Sequence, residues 1–209
     1  MCFQKIKTTI KAEVESSGGE ITIRINPADL TEHLHQKKQL KDYAPGSIVK
    51  ISATELIVLE HREDGTAVLF KNLLPKAMKF DDDTSNYANS SIREYLNGEF
   101  LKEFTEKTLS EDNIIPHTVD LITDDGLECH GYVTDKISLI TTEMYRKYRP
   151  VIGENMSRWW WTATALSDEE ETSCVRCVSY NGLLNRSTCS NSGGVRPFCI
   201  LNSEIFVSE

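Results

Sequence analysis

Ser91-Ile-Arg-Glu-Tyr-Leu-Asn-Gly-Glu-Phe-Leu-Lys-Glu-Phe-Thr-Glu-Lys107 carries the clearest structural signal in the chain. Ile92, Tyr95, Leu96, Phe100, Leu101 and Phe104 recur at the spacing of one helix face. The pattern predicts an amphipathic helix from Ser91 to about Lys107, with Ile92, Leu96, Phe100 and Phe104 buried. Ser91-x-x-Glu94 offers a capping box at its start.

The segments on either side read mostly as strands. Ser47–Ser52, Glu55–His61 and Thr66–Lys71 are strand-like, and Glu63-Asp64-Gly65 joins the last two as a hairpin. Beyond the helix, Val119–Thr123 and Leu127–Val133 flank Asp124-Asp125-Gly126, a second hairpin signal. A second helix is expected from Thr142 to Tyr148, halted by Pro150. From Arg158 on the chain reads as short strands and turns. Ser173–Ser179 and Leu183–Thr188 flank Asn181-Gly182, a type I′ turn signal, and Val195–Leu201 reads as a closing strand.

The first 43 residues look different. Ile6 to Val14 and Glu20 to Ile25 alternate around Ser16-Ser17-Gly18-Gly19, which predicts a β-hairpin. Asn26-Pro27 then opens a short polar helix reaching about Gln39, with Leu30, Leu34 and Leu40 as anchors. Tyr43-Ala-Pro-Gly46 is turn punctuation. The expected organisation is therefore an appendage over 1–43 and one domain over 44–209.

Composition narrows the function classes. The 209 residues are 39% hydrophobic and 26% charged, as in a globular chain with one sizeable core. A formal net charge of −9 argues against a general nucleic-acid binder. The N-terminus has no apolar signal region, and no run approaches the ~18 apolar residues of a membrane span. A cytoplasmic protein is expected, virion-associated if phage-encoded. The six cysteines, Cys2, Cys129, Cys174, Cys177, Cys189 and Cys199, then read as free thiols.

Four blocks in order carry a resemblance. They are Asn86-Tyr-Ala-Asn-Ser-Ser-Ile-Arg-Glu-Tyr-Leu-Asn97, Thr134-Asp-Lys-Ile-Ser-Leu-Ile-Thr141, Trp159-Trp-Trp-Thr-Ala-Thr164 and Gly194-Val-Arg-Pro197. Together, over about residues 44–201, they resemble an uncharacterised domain family of bacteria and phages. That family reads S-x-x-R-x-W-L-N, D-K-x-F-L-L-S, W-W-L-R-S and G-V-R-P-A. It is similar to C-type-lectin-like proteins, among them the variable proteins of diversity-generating retroelements and the domain of formylglycine-generating enzymes. Tyr95 stands where the family has Trp, Thr162-Ala163-Thr164 where it has an arginine-bearing L-R-S, and Phe198 where it has Ala. The resemblance implies an α+β, C-type-lectin-like domain: two helices on a small twisted antiparallel sheet with long loops. Period-two alternation puts Trp159 and Trp161 on one strand face and Trp160 on the other. Arg196, between Val195 and Pro197, is expected to make a fixed hydrogen-bonded pair that pins the last strand.

Candidate chemistry is sparse. Cys174-x-x-Cys177 with Cys189 and Cys199 invites a zinc reading, but only one close pair exists and it lies in a strand-like run. The cysteine pair of formylglycine-generating enzymes has wider spacing. His33 and His35 diverge on a predicted helix, and His61, His117 and His130 lack ligand spacing. Asp81-Asp82-Asp83 lacks the EF-hand pattern, and the signatures of calcium-dependent sugar-binding lectins are missing. No cofactor or metal is expected.

The informative stretch is Tyr180 to Ser192, rich in Asn, Ser, Thr and Tyr. It reads either as a hairpin with a solvated loop or as a paratope, because Tyr gives rigid amphipathic area and Ser and Asn give adaptable hydrogen bonds. In retroelement-diversified relatives this region varies and binds. The candidate ligand-binding residues are Trp160 or its neighbours, Tyr180, Asn181, Asn185, Arg186, Ser187, Thr188, Ser190 and Asn191. The expected function is non-enzymatic recognition of a protein or glycan, with no nucleic acid and no membrane insertion, and with the appendage as an attachment or homo-oligomerisation element. The chain is expected to be phage or mobile-element encoded and diversified in this segment. The alternatives are a formylglycine-generating-type or other thiol enzyme, and a structural virion or assembly protein.

Overall fold

The computed structural model describes residues 12–17, 20–25, 38–128, 130–153, 155–167 and 173–208. Strands β1 (Ala12–Ser17) and β2 (Glu20–Ile25) pair antiparallel, with Ser17 opposite Glu20. The expected hairpin is there, with Ser16 and Ser17 of the expected turn in β1; its start over 6–11 and residues 18–19 lie outside the described residues, as does 26–37 of the expected polar helix. Its end is strand: β3 is Lys38–Gln39. There follow β4 (Ile48–Ile51), β5 (Thr54–His61), β6 (Thr66–Phe70) and β7 (Met78–Lys79). Helix α1 spans 91–107 as Ser91–Tyr95, a π-turn Leu96–Phe100 and Leu101–Lys107. Four short strands come next, β8 (Ile114–Ile115), β9 (His117–Asp120), β10 (Tyr132–Asp135) and β11 (Ile137–Ser138). Helix α2 is Thr142–Ile152. The chain ends in β12 (Trp160–Ala165), β13 (Cys174–Val178), β14 (Leu184–Thr188), β15 (Ser192–Gly193), β16 (Phe198–Leu201) and β17 (Phe206–Val207).

A six-stranded sheet in the order β11-β16-β6-β5-β4, with β8 also on β16, forms the centre. Successive side chains of a strand face opposite ways, and here both faces are apolar. Leu56, Val58, Val68, Phe70, Cys199 and Leu201 enter one cluster with the buried side of α1. Ile57, Leu59, Ala67, Leu69, Phe198 and Ile200 enter the other with Tyr145, Tyr148 and Ile152 of α2. β12, β13 and β14 make a separate three-stranded sheet, and β3, β7, β9 and β10 take part in two-stranded pairs. Leu40 and Tyr43 are buried in the first cluster, next to the β3–β17 pairing of Gln39 with Phe206.

The C-type-lectin-like expectation is overturned. The described chain is mainly strand, spread over several small sheets. One 17-residue helix covers one face of the central sheet, and the 11-residue α2 lies against the other. The class remains loosely α+β. The physical reason is the two-sided apolar alternation of β5, β6 and β16, which requires cover on both faces rather than two helices on one small sheet.

Residues of the four sequence blocks act as fasteners. Ser90, one residue before the expected cap, accepts from Arg93 N at 3.4 Å and caps α1. Arg93 grips Asp135 through Nε (2.9 and 3.1 Å) and Nη2 (2.7 Å). Asn97 accepts from Lys136 N and Ile137 N and donates to Ile137 O. Ile92, Leu96, Phe100 and Phe104 are buried as their spacing requires. α2 runs past Pro150 to Ile152, since in the last turn the missing N–H costs one bond.

Candidate functional site

β14 borders only β13 in its sheet, so among the described residues it is an edge strand. The hairpin is as expected, but its turn is not type I′. Among the described residues Ser52 is the sole non-glycine at positive φ, so Asn181 stays in the ordinary region and Gly182 alone turns over, at φ 78°. Gly182 N donates to Ser179 O (2.9 Å) and Ser179 N to Leu183 O (2.8 Å). This is a type I turn closed by a glycine bulge. Asn181 Oδ1 accepts from Leu183 N at 3.3 Å, which uses the side chain to stiffen the turn.

The turn lifts Tyr180 and Leu183 into solvent, 67% and 58% exposed. Asn181, Asn185, Arg186, Thr188, Ser190 and Asn191 are exposed too, and Ser187 is half-buried. Asn191 Nδ2 donates to Ser187 Oγ at 3.1 Å, folding the loop back on the strand. Val195, Phe198 and Ile200 are buried.

Trp160 does not belong to the surface. It is 1% exposed, edge-on to Tyr145 with ring centres 5.8 Å apart. Alternation had separated it from Trp159 and Trp161, whose rings meet at 4.7 Å, but its own face is covered by α2. Trp160 instead lines a cavity of about 100 Å³ together with Tyr145, Arg149, Asn155, Gly182 and Arg196. The Arg196 guanidinium lies 5.3 Å over the Trp160 ring and donates to Phe70 O (2.8 Å) and Lys71 O (3.0 Å). Arg196 thus pins its strand as expected, with main-chain carbonyls as partners. Tyr145 OH donates to Gly182 O at 2.7 Å, and Arg149 Nη1 donates to the same oxygen. Tyr145 and Arg149 were missed because nothing in Thr142–Pro150 marks them apart from an ordinary helix.

The four described thiols lack the exposure of reactive cysteines. Cys174, Cys177, Cys189 and Cys199 are all buried and none is in a disulfide. Burial pushes Cys177 up to about 11 and Cys199 to about 12, and raises Cys189 as well. A nucleophilic thiol needs the opposite shift. His117 Nε2 lies 2.9 Å from Ser138 Oγ, the geometry of a base beside a nucleophile. Both residues are buried, with the imidazole edge-on to Phe198 at 5.0 Å. Burial holds this histidine down at about 4, so it is neutral near pH 7. Among the described residues no group of three or more His, Cys, Asp or Glu is placed to hold a metal. Nor is any described helix long and apolar enough to cross a membrane.

Residues 140–203 match a family described as a domain of unknown function (DUF6273). The match begins at the end of the β11–α2 connection and takes in the three-stranded sheet, the hairpin and β16. That description says nothing of lectins, retroelements or phages. No curated protein and no solved structure matches the chain. Over under half its length, then, the chain is similar to a domain of unknown function, and the similarity covers the whole of the candidate surface.

Proposed function

We propose that the protein is a non-enzymatic recognition protein that offers β14, its preceding turn and the following loop to a ligand, a protein or a glycan. The observation that carries this is the exposure of Tyr180 and Leu183 on a stiffened turn beside a polar edge strand. Large apolar side chains held in solvent by a rigid turn retain little entropy to lose on binding. The open edge of β14 favours a protein ligand, because an extended segment can add to it through main-chain hydrogen bonds. The inaccessible Ser138–His117 pair and the raised thiols weigh against catalysis. Diversification of the hairpin does not account for the late cysteines, which lie in the core rather than on this surface.

The test is a screen of the purified full chain against candidate surface proteins and glycans, followed by the variant Y180A/L183S/N185A. The variant should lose binding while its Tm moves little, since a surface substitution shifts stability by about 0.5 kcal/mol or less. Unfolding of the variant, or undiminished binding, would place the site elsewhere.

A further inference from the structure

We propose that the cavity beneath the β13–β14 turn binds a small oxyanion, a carboxylate or phosphate group, between Arg196 on its floor and Arg149 at its rim. Arg196 is 1% exposed. Its Nε and Nη2 are tied to the Phe70 and Lys71 carbonyls, and Nη1 has no hydrogen bond among the described residues. The plane is held over Trp160, so the remaining donor is fixed in place before any ligand arrives. Arg149 is anchored through Nη1 to Gly182 O, and the Asn155 side chain completes the mouth.

Charge points the same way. In a chain of net charge −9, two guanidiniums share one cavity. Among the described residues neither forms an ion pair with a carboxylate, although Arg146 and Lys147 of the same helix do. Burial lowers Arg196 to about 10, with only the Tyr145 hydroxyl opposing the shift. A buried cation without a counter-charge is costly, and an anion accepted there is attracted through a low-dielectric wall. Arginine suits the task because its fork matches the oxygens of a carboxylate or phosphate.

Size narrows the ligand. The cavity holds about 100 Å³. A water takes about 30 Å³, and drug-sized ligands need about 300 Å³ or more. The site therefore fits one oxyanion group, free or at the end of a larger molecule. Gly182 keeps the mouth open: a Cβ there would sit 2.5 Å from Asn155 Oδ1 and 3.3 Å from Arg149 Nη2.

This inference stands apart from the recognition surface, because Tyr180, Leu183 and Asn185 do not line the cavity and anion binding is read without any ligand of the hairpin. The test is calorimetric titration of the full chain with sodium phosphate and with sodium acetate at fixed ionic strength, with chloride as control. Tryptophan emission provides a second readout through Trp160. Saturable one-to-one binding of phosphate or acetate, at about 10 mM or tighter and not reproduced by chloride, is expected. The preferred anion identifies the group. R149Q should bind about ten- to a hundredfold more weakly, the scale of one lost charge-assisted hydrogen bond, with unchanged circular dichroism. R196K is the harsher variant; if it fails to fold, R149Q still decides. Glu154 lies in sequence between Gly153 and Asn155, both of which line the cavity. No saturable binding, unchanged affinity in R149Q, or binding that emerges only in E154Q would each overturn the proposal, the last by showing that an internal carboxylate fills the site.

Discussion

Phe100→Ala is expected to cost about 3 kcal/mol of stability, at the lower end of the ~3–5 kcal/mol usual for a buried phenylalanine. Phe100 is 8% exposed in the π-turn of α1. Its ring stacks on Phe104 (6.0 Å, 13°) and lies 5.7 Å from Phe70 of β6 and 6.0 Å from Tyr95. Each aromatic contact adds about 0.5–1.5 kcal/mol beyond area burial, which would push the cost up. Against this, the ring borders an open groove of about 570 Å³ lined also by Phe70, Tyr95 and Phe104. Neighbouring rings and water can move into the vacated space, so less of a dry cavity is left behind. Urea denaturation followed by far-ultraviolet circular dichroism gives the free energy directly. For a chain of this size about 1 kcal/mol shifts Tm by about 2–4 °C, so a fall of roughly 6–12 °C is expected. The double variant with Phe104→Ala should cost about 1 kcal/mol less than the sum of the singles, since both remove the same stacking contact. A cost below about 1 kcal/mol would refute the account of α1 as the cover of that sheet face.

The other predictions concern buried polar groups. Asp135→Asn should destabilise by about 1.5–3 kcal/mol, because it removes the buried charge that the part-exposed Arg93 grips; a loss below about 1 kcal/mol on urea denaturation would contradict this. His117, held at about 4 in the fold against 6.5 when free, should contribute acid lability. The linkage stability is present above pH 6.5 and is lost as pH falls towards 4, because the unfolded chain takes up the proton first, with a total of roughly 2–4 kcal/mol. His117→Gln should flatten the stability–pH curve in that window, and an unchanged curve would disprove the assignment. In a C2S/C129S background, Ellman's reagent should label none of the four remaining thiols rapidly until denaturant is added, as all four are buried. Fast labelling of the native protein would revive thiol chemistry.

Local elements were legible because local residues specify them. The stripe Ile92, Leu96, Phe100, Phe104 fixed the buried face of α1, and the alternation of Trp159, Trp160 and Trp161 separated their faces. Assembly was not legible. Pairing of β16 with β6 sets Phe198 against Leu69, and β17 reaches back to β3; no spacing encodes partners so far apart in the chain. Alternation on β12 likewise shows that Trp160 faces away from Trp161 but not that α2 covers that side as well. Asn181-Gly182 reads as type I′, but the same glycine also closes a type I turn with a bulge, and only the φ of Asn181 decides between them. The cavity was invisible because Arg149 and Arg196 lie 47 positions apart in the sequence and meet only through the packing of α2 beside the last strands.

The residues that carried the family resemblance explain why it misled about architecture and was silent about ligand. Ser90 caps a helix, Arg93 holds Asp135, Asn97 fastens the corner before β11, and Arg196 ties two carbonyls at the end of β6. Each secures a junction between neighbouring segments, so a set of such blocks constrains where the chain bends without dictating how many sheets result. Substitutions there trade in stability. Tyr180 to Asn191 contributes to none of those junctions, and its exposed side chains sit on a strand whose inner neighbours are already buried. Sequence change at its exposed positions, though not at Gly182 or the buried Cys189, is therefore cheap for folding, which is the physical condition a recognition surface needs if its specificity is to vary while its scaffold stays fixed. Arg196 is the exception: it fastens the fold with two of its nitrogens, while the third has no hydrogen bond among the described residues. A ligand held there would couple directly to the β6–β16 junction, so anion binding should raise Tm as well as shift tryptophan emission, whereas a ligand on the hairpin need not disturb that junction.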